Sequence, residues 1–113
     1  MNELSKSEKK LARELMDKGL EAEFEAGIRV AEVAIAKWRN KQLSNREAFH
    51  TIHSSLLEHR RHLAQRYDGV TGSRYLDTVA GIFADGFISE MDMAGFSDEN
   101  KAYLKKIFAL RAG

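Results

Sequence analysis

The segment from Leu20 to Trp38 constrains the fold most, because it is apolar along two sides. At about 100° per residue along a helix, one group of its side chains falls in a single broad stripe: Leu20, Phe24, Gly27, Ile28, Ala31, Ala34, Ile35 and Trp38. A second, narrower stripe on the far side consists of Ala22, Ala26, Val30 and Val33. A helix with two apolar stripes needs neighbours in two directions. We therefore predict a central helix that is covered on both sides by the rest of the chain or by a second copy.

Start and stop signals divide the chain into several helical segments. Ser5 with Glu8, and later Ser44 with Glu47, have the spacing of a capping box, and alternation typical of strands is essentially absent. The predicted helices span about 6–18, 20–39, 45–66, 74–84, 90–94 and 98–111. We expect an all-α, single-domain helical bundle of about four main helices and one short helix.

Two patterns meet at Gly19, between the first two predicted helices. Leu11 and Leu15 point roughly opposite to the stripe that begins at Leu20, and Lys18-Gly19 is typical of a helix C-terminal cap. We predict a break or kink near Gly19. The alternative is a continuous helix whose first turns pack against a different part of the protein.

The composition excludes several kinds of chemistry and partner. The 113 residues suit one domain, and the absence of cysteine excludes disulfides, thiolate metal sites and a cysteine nucleophile. Eighteen basic and seventeen acidic residues give a net charge of +1, which does not indicate a nucleic-acid or membrane partner. No apolar run approaches the roughly 20 residues of a membrane span, and none resembles a signal sequence. We expect a soluble, cytoplasmic protein.

Glutamate and histidine side chains offer the sharpest metal hypothesis. Glu47 and His50 have the Glu-x-x-His spacing of di-iron carboxylate bundles, but such a site needs a second copy of the motif and further inward carboxylates. We therefore predict no metal or cofactor. The weak candidates for the alternative are Glu21, Glu25, Glu32, His50 and His53.

The segment from Phe83 to Asp92 resembles the second half of a calcium-binding EF-hand loop, and also the Asp–Gly turn of tellurite-resistance-type helical domains. If Gly86 takes the glycine position of the EF-hand loop, two ligand positions fall on Gly81 and Phe83, which have no side-chain oxygen. The residues therefore favour a tight turn between helices, with Ile88 directed into the core.

Neither nucleic-acid binding nor catalysis is supported by a suitably arranged set of residues. Arg60, Arg61 and Arg66 point in three directions from one helix, whereas a surface that tracks phosphates needs them aligned. Ser55 and His59 lie about one turn apart, but a regular helix provides no oxyanion hole beside them. The sequence thus predicts no catalytic residue and does not favour a nucleic-acid partner.

The small side chains of the second stripe allow close approach of two helices. We predict a symmetric homodimer through Ala22, Ala26, Val30 and Val33. The expected function is that of a non-enzymatic interaction or assembly module, with a second copy or another protein as its partner. The alternative is a helical protein that binds a metal or small ligand through Glu and His side chains. A nucleic-acid-binding helical domain is the lesser alternative.

Overall fold

The computed structural model describes residues 3–112, which form four α-helices and two short 3₁₀ turns. The helices are α1 (Lys6–Arg39), α2 (Asn45–Tyr67), α3 (Tyr75–Ala84) and α4 (Asp98–Ala112), and the 3₁₀ turns are Gly72–Arg74 and Met91–Met93. No strand occurs within residues 3–112. The all-α class is therefore confirmed, and the predicted short helix at 90–94 is a 3₁₀ turn.

The long first helix, α1, runs without interruption for 34 residues, so the predicted break near Gly19 is wrong. The alternative of a continuous helix is correct. Gly19 is buried, and a Cβ atom at this position would lie 2.5 Å from Cγ2 of Ile82 and 3.0 Å from the hydroxyl oxygen of Tyr67. Glycine therefore allows α3 to approach α1 closely at this point, and it does not end the helix.

The apolar side of α1 changes direction along its length because its neighbours change. In the N-terminal half, Ala12 and Leu15 are buried in the core formed with α3 and α4. Beyond Gly19, the buried Glu23 and Gly27 instead contact side chains of α2. Two different neighbours in succession explain why the stripes of the two halves do not align.

The core is centred on α3 rather than on the segment from Leu20 to Trp38. Six of the ten residues of α3 are buried, and Val79, Ala80 and Ile82 are inaccessible to solvent. By contrast, Val30 and Val33 of α1 are 51% and 56% exposed. Residues 3–112 therefore do not cover the half of α1 beyond Gly19 on both sides, and cover by a second copy stays a prediction.

The C-terminal half of α1, beyond Gly19, packs antiparallel to α2. Together they form a helical hairpin that projects from the core. α1 ends in a Schellman motif, in which the N–H of Gln42 donates to the carbonyl of Lys37 and that of Lys41 donates to Trp38. A capping box at Ser44 then starts α2, as predicted. Because the hairpin extends beyond α3 and α4, the molecule is elongated, with extents of 53 × 27 × 20 Å. We call the N-terminal half of α1 together with α3 and α4 the body.

The predicted capping box at the start of α1 is also present and has a second role. The Ser5 hydroxyl accepts from the Glu8 N–H, while the Glu8 carboxylate accepts from the Ser5 N–H at 3.1 Å. The same carboxylate accepts from the N–H of Ser97 at 2.9 Å and from the Asn100 amide at 2.8 Å. Glu8 is only 7% exposed, and it joins the N-termini of α1 and α4.

The predicted turn after α3 is confirmed. Gly86 adopts a φ of +84°, a left-handed conformation that favours glycine, and Ile88 is buried two residues later.

No helix within residues 3–112 is long and apolar enough to cross a membrane.

Candidate interaction surface

One face of the hairpin carries large apolar side chains that no other part of residues 3–112 covers. Phe24 and Ile28 of α1 line an open groove together with Leu56 of α2. Ile35 and Phe49 lie seven residues, or two helical turns, from Ile28 and Leu56, and so extend the same face toward the tip. The exposed fractions of Phe24, Ile28, Ile35, Phe49 and Leu56 are 49%, 66%, 36%, 71% and 43%. We call these five residues the open face.

The open face deepens between the two helices into a groove of about 610 Å³. Its floor lies at Gly27, where a Cβ atom would come within 2.6 Å of the His59 ring. The absence of a side chain at Gly27 therefore lets the two helices approach closely. Leu20 and Leu63 line the groove as well, so apolar side chains continue from the open face into the groove.

The short helices α3 and α4 pack on the other side of the hairpin. Ile82 of α3 meets α1 at Gly19, and the guanidinium groups of Arg66 in α2 and Arg111 in α4 lie near the buried Gly81 of α3. This packing leaves the open face uncovered along its whole length. Apolar faces of helices are normally buried against a further layer of secondary structure, and residues 3–112 supply that layer on one side of the hairpin only.

A buried carboxylate fixes the two helices to each other at the base of the hairpin. Glu23 of α1 is 1% exposed. His62 Nε2 lies 2.8 Å from its Oε1 atom, Arg66 Nη1 donates to Oε2 at 3.0 Å, and the Tyr67 hydroxyl also donates to Oε2. A buried charge is tolerated only when it is paired and hydrogen-bonded. Glu23 must therefore stay beside these donors from α2, which fixes the position of α1 relative to α2.

The same network reaches the body through Arg66, which also donates to Asp85 at the end of α3, while Arg111 lies 3.3 Å from Asp85. Burial alone would lower the pKa of Arg66, but Asp85 and Glu23 raise it above its ordinary value. Burial and the hydrogen bond to Glu23 raise the pKa of Tyr67 well above its ordinary range. Both groups therefore remain hydrogen-bond donors at neutral pH, which suits a network that holds the hairpin against the body.

The residues predicted to form a dimer interface lie on the opposite flank of α1 from the open face. They are Ala22, Ala26, Val30 and Val33, which we call the rear stripe. The two alanines are half-buried and the two valines are exposed. On that side α2 presents Thr51, Glu58 and Gln65, which are spaced by seven residues. The rear stripe is thus apolar on one helix only, and an interface through it stays a prediction.

The candidate metal ligands are not brought together in one chain. Glu25 and Glu32 lie 2.8 and 3.9 Å from Arg29 on the exposed side of α1, and Glu21 is exposed near them. His50 and His53 are exposed on α2. No group of three or more His, Asp or Glu side chains among residues 3–112 is placed to share a metal ion.

The basic residues considered for nucleic-acid binding have different roles. Arg60 and Arg61 are exposed, whereas the side chain of Arg66 is 11% exposed and pairs with Glu23 and Asp85. Sequence reasoning missed Glu23, because a single acidic residue beside two apolar stripes gives no sign of burial. The nearest available signal was the close spacing of His62, Arg66 and Tyr67, three donors within six residues.

Comparisons with protein-family models, curated proteins and solved structures found no match. The fold and surface define an all-α protein with a projecting helical hairpin, one face of which is apolar and uncovered.

Proposed function

We propose that this protein is a non-enzymatic assembly module that forms a homodimer through the open face of its hairpin. The observation that carries this proposal is the exposure of five large apolar side chains on one continuous face. Large apolar side chains have areas of about 150–250 Å² each, so the exposed fractions correspond to roughly 500 Å². This area lies toward the upper end of the roughly 300–600 Å² found for the largest apolar patch of a typical monomer.

A symmetric dimer would cover both copies of the open face at once. The two patches together amount to roughly 1,000 Å² of apolar area, and the flanking polar groups would bring the buried total toward the roughly 1,200–2,000 Å² of a stable interface. A hairpin of two helices also needs two more helices of similar length to complete a four-helix bundle. A second copy provides helices of the required length and presents the same self-complementary surface.

Sedimentation velocity at micromolar concentrations tests the proposal with three single-site variants. Ile28→Asp places a carboxylate in the open face of both copies, and we expect it to weaken the dimer at least about 100-fold, because the unpaired charge would be buried. Met91→Asp is the matched control, since Met91 is 86% exposed and lies in the 3₁₀ turn before α4, away from the hairpin. It should leave the dimer unchanged.

Val33→Asp separates the two possible interfaces. If dimerisation uses the open face, Val33→Asp should have little effect, since Val33 lies in the rear stripe. A dimer that Val33→Asp dissociates and Ile28→Asp does not would overturn the open-face proposal and support the rear stripe. A wild-type protein that remains strictly monomeric at these concentrations would overturn homodimerisation altogether.

A further inference from the structure

We infer that, in the dimer, the two hairpins pack face to face with their tips pointing in the same direction, so that α1 of each copy lies against α2 of the other. This inference rests on the proposed homodimer and adds the orientation of its subunits. It is carried by the charges along the two outer edges of the open face.

The α1 edge of the open face is acidic. Glu21, Glu25 and Glu32 follow one another at spacings of four and seven residues, and Ile28 of the open face lies among them. All three are exposed. Arg29 pairs with Glu25 and Glu32, so three carboxylates against one guanidinium leave a net charge of −2 on this edge.

The α2 edge of the open face is basic. Arg46, His53 and Arg60 are spaced by seven residues, and each lies three residues before an apolar residue of the groove side: Phe49, Leu56 and Leu63. All three basic residues are exposed, and Arg60 lines the groove itself. The two edges of one hairpin therefore carry opposite charge.

Two arrangements allow a pair of hairpins to meet through the same face with two-fold symmetry. If the axis runs along the hairpins, the tips point the same way and α1 faces the second copy's α2. If the axis runs across the hairpins, the tips point in opposite directions. Each helix then faces the equivalent helix of the second copy. The first arrangement brings each acidic edge to a basic edge, whereas the second brings like charges together.

The heights of the charged residues along the hairpin agree with the first arrangement. Gly27 contacts His59, so these two residues lie at about the same position along the hairpin axis. Counting about 1.5 Å per residue from them, Glu25 lies within about 2 Å of the height of Arg60, and Glu32 within about 2 Å of that of His53. Parallel tips would therefore place Glu25 opposite Arg60 and Glu32 opposite the imidazole of His53. The exception is the pair of basic residues at the tip, Arg39 and Arg46.

The second arrangement places like charges at matching heights. If the two-fold axis crosses the hairpin at the level of Gly27, Arg60 would lie close to Arg60 of the other chain, and Glu21 would lie within about 2 Å of the height of Glu32 in the other chain. Exposed ion pairs add little to affinity, but like charges that meet across an interface select against an arrangement. The charge pattern therefore acts mainly on orientation.

A distance between the two tips tests this orientation directly. The chain contains no cysteine, so Gln42→Cys allows one spin label per copy in the loop at the tip. With parallel tips, and helices packed roughly 10 Å apart, the two labels should lie within about 25 Å. With opposed tips they should lie about 30 Å apart or more, since the tip is about 15 Å beyond the centre of the open face along the hairpin.

Charge variants provide an independent test. We expect Arg60→Glu to weaken its homodimer about tenfold, and Glu25→Arg to do the same, whereas an equimolar mixture of the two variants should dimerise like wild type. Arg61→Glu is the matched control, because it makes the same charge change one position along α2, away from the open face. With opposed tips, Arg60→Glu would replace one like-charge contact by another and would not weaken the dimer.

The outcomes separate the orientation from the dimer itself. Short label distances together with rescue in the mixture support the inference. A dimer with labels about 30 Å apart or more, or one that Arg60→Glu leaves unweakened, overturns the orientation and leaves homodimerisation intact. A monomer in sedimentation overturns the proposed function and the orientation with it.

Discussion

Glu8 should make the stability of the fold depend on pH in a way that a single substitution removes. Burial by itself would raise the pKa of this carboxyl, but hydrogen bonds from the Ser97 N–H, the Asn100 amide and Ser5 outweigh burial and lower the pKa from 4.5 to about 2. Because the pKa is lower in the folded protein than in the unfolded chain, the ionised form is stabilised by folding. That contribution is complete above about pH 5 and is lost as the pH falls through 4.5 toward 2.

The size of the effect follows from the shift in pKa. One pKa unit corresponds to about 1.4 kcal/mol, so the full contribution of Glu8 is about 3 kcal/mol, of which about 2 kcal/mol should be lost between pH 6 and pH 3. The assay is urea denaturation of the wild type and of Glu8→Gln at several pH values. We expect the difference in unfolding free energy between them to shrink by about 2 kcal/mol over this range.

Glu14→Gln is the control for the Glu8 experiment, since Glu14 is an exposed residue of the same helix. Its difference from the wild type should change by less than about 0.5 kcal/mol over the same pH range. A constant difference between the wild type and Glu8→Gln from pH 6 to pH 3 would refute the reasoning. It would mean that the ionised Glu8 is no better accommodated in the folded protein than in the unfolded chain.

Three further substitutions test other parts of the fold by urea denaturation at neutral pH. Gly19→Ala should destabilise the protein by about 1–3 kcal/mol, because the new Cβ would lie 2.5 Å from Cγ2 of Ile82; a gain in stability, as expected in an exposed helix, would contradict the close packing. Glu23→Ala should cost about 2–4 kcal/mol, whereas Glu25→Ala on the surface should change stability by less than about 0.5 kcal/mol, and equal effects would argue against the buried network. Lys41→Gly should stabilise the protein by up to about 1 kcal/mol, because Lys41 has a φ of +61°, and a loss of stability would contradict this turn geometry.

The sequence predicted the local features of the fold well. Both capping boxes and the Asp85–Gly86 turn form as predicted, because each is determined by residues three or four positions apart. Gly19 was misinterpreted because its neighbours in the sequence do not determine its role. A glycine that ends a helix and a glycine that admits a neighbouring helix look alike in sequence, and only the position of Ile82 in the fold separates them.

The candidate surface could be predicted only in part, because periodicity shows which side chains share a face but does not show what covers the face. Phe24, Ile28 and Ile35 were assigned to one stripe of α1, which was expected to be covered by the rest of the chain or by a second copy. The structure aligns these residues with Phe49 and Leu56 of α2, and no part of residues 3–112 covers the face that they form. The buried Glu23 depends on donors about forty residues away, and no local pattern reports such a partner.

The position of the polar network explains why the open face stays open within one chain. Glu23 binds α2 through His62 and Arg66, and Arg66 in turn binds Asp85, so the base of the hairpin is fixed to α3 on the side opposite the open face. Folding the body over the open face would break these charged contacts in a buried site, which is costly. Covering the exposed apolar residues with the body would therefore sacrifice this network. A second hairpin offers the same length of apolar surface without disturbing the network, and for this reason we place the partner outside the chain.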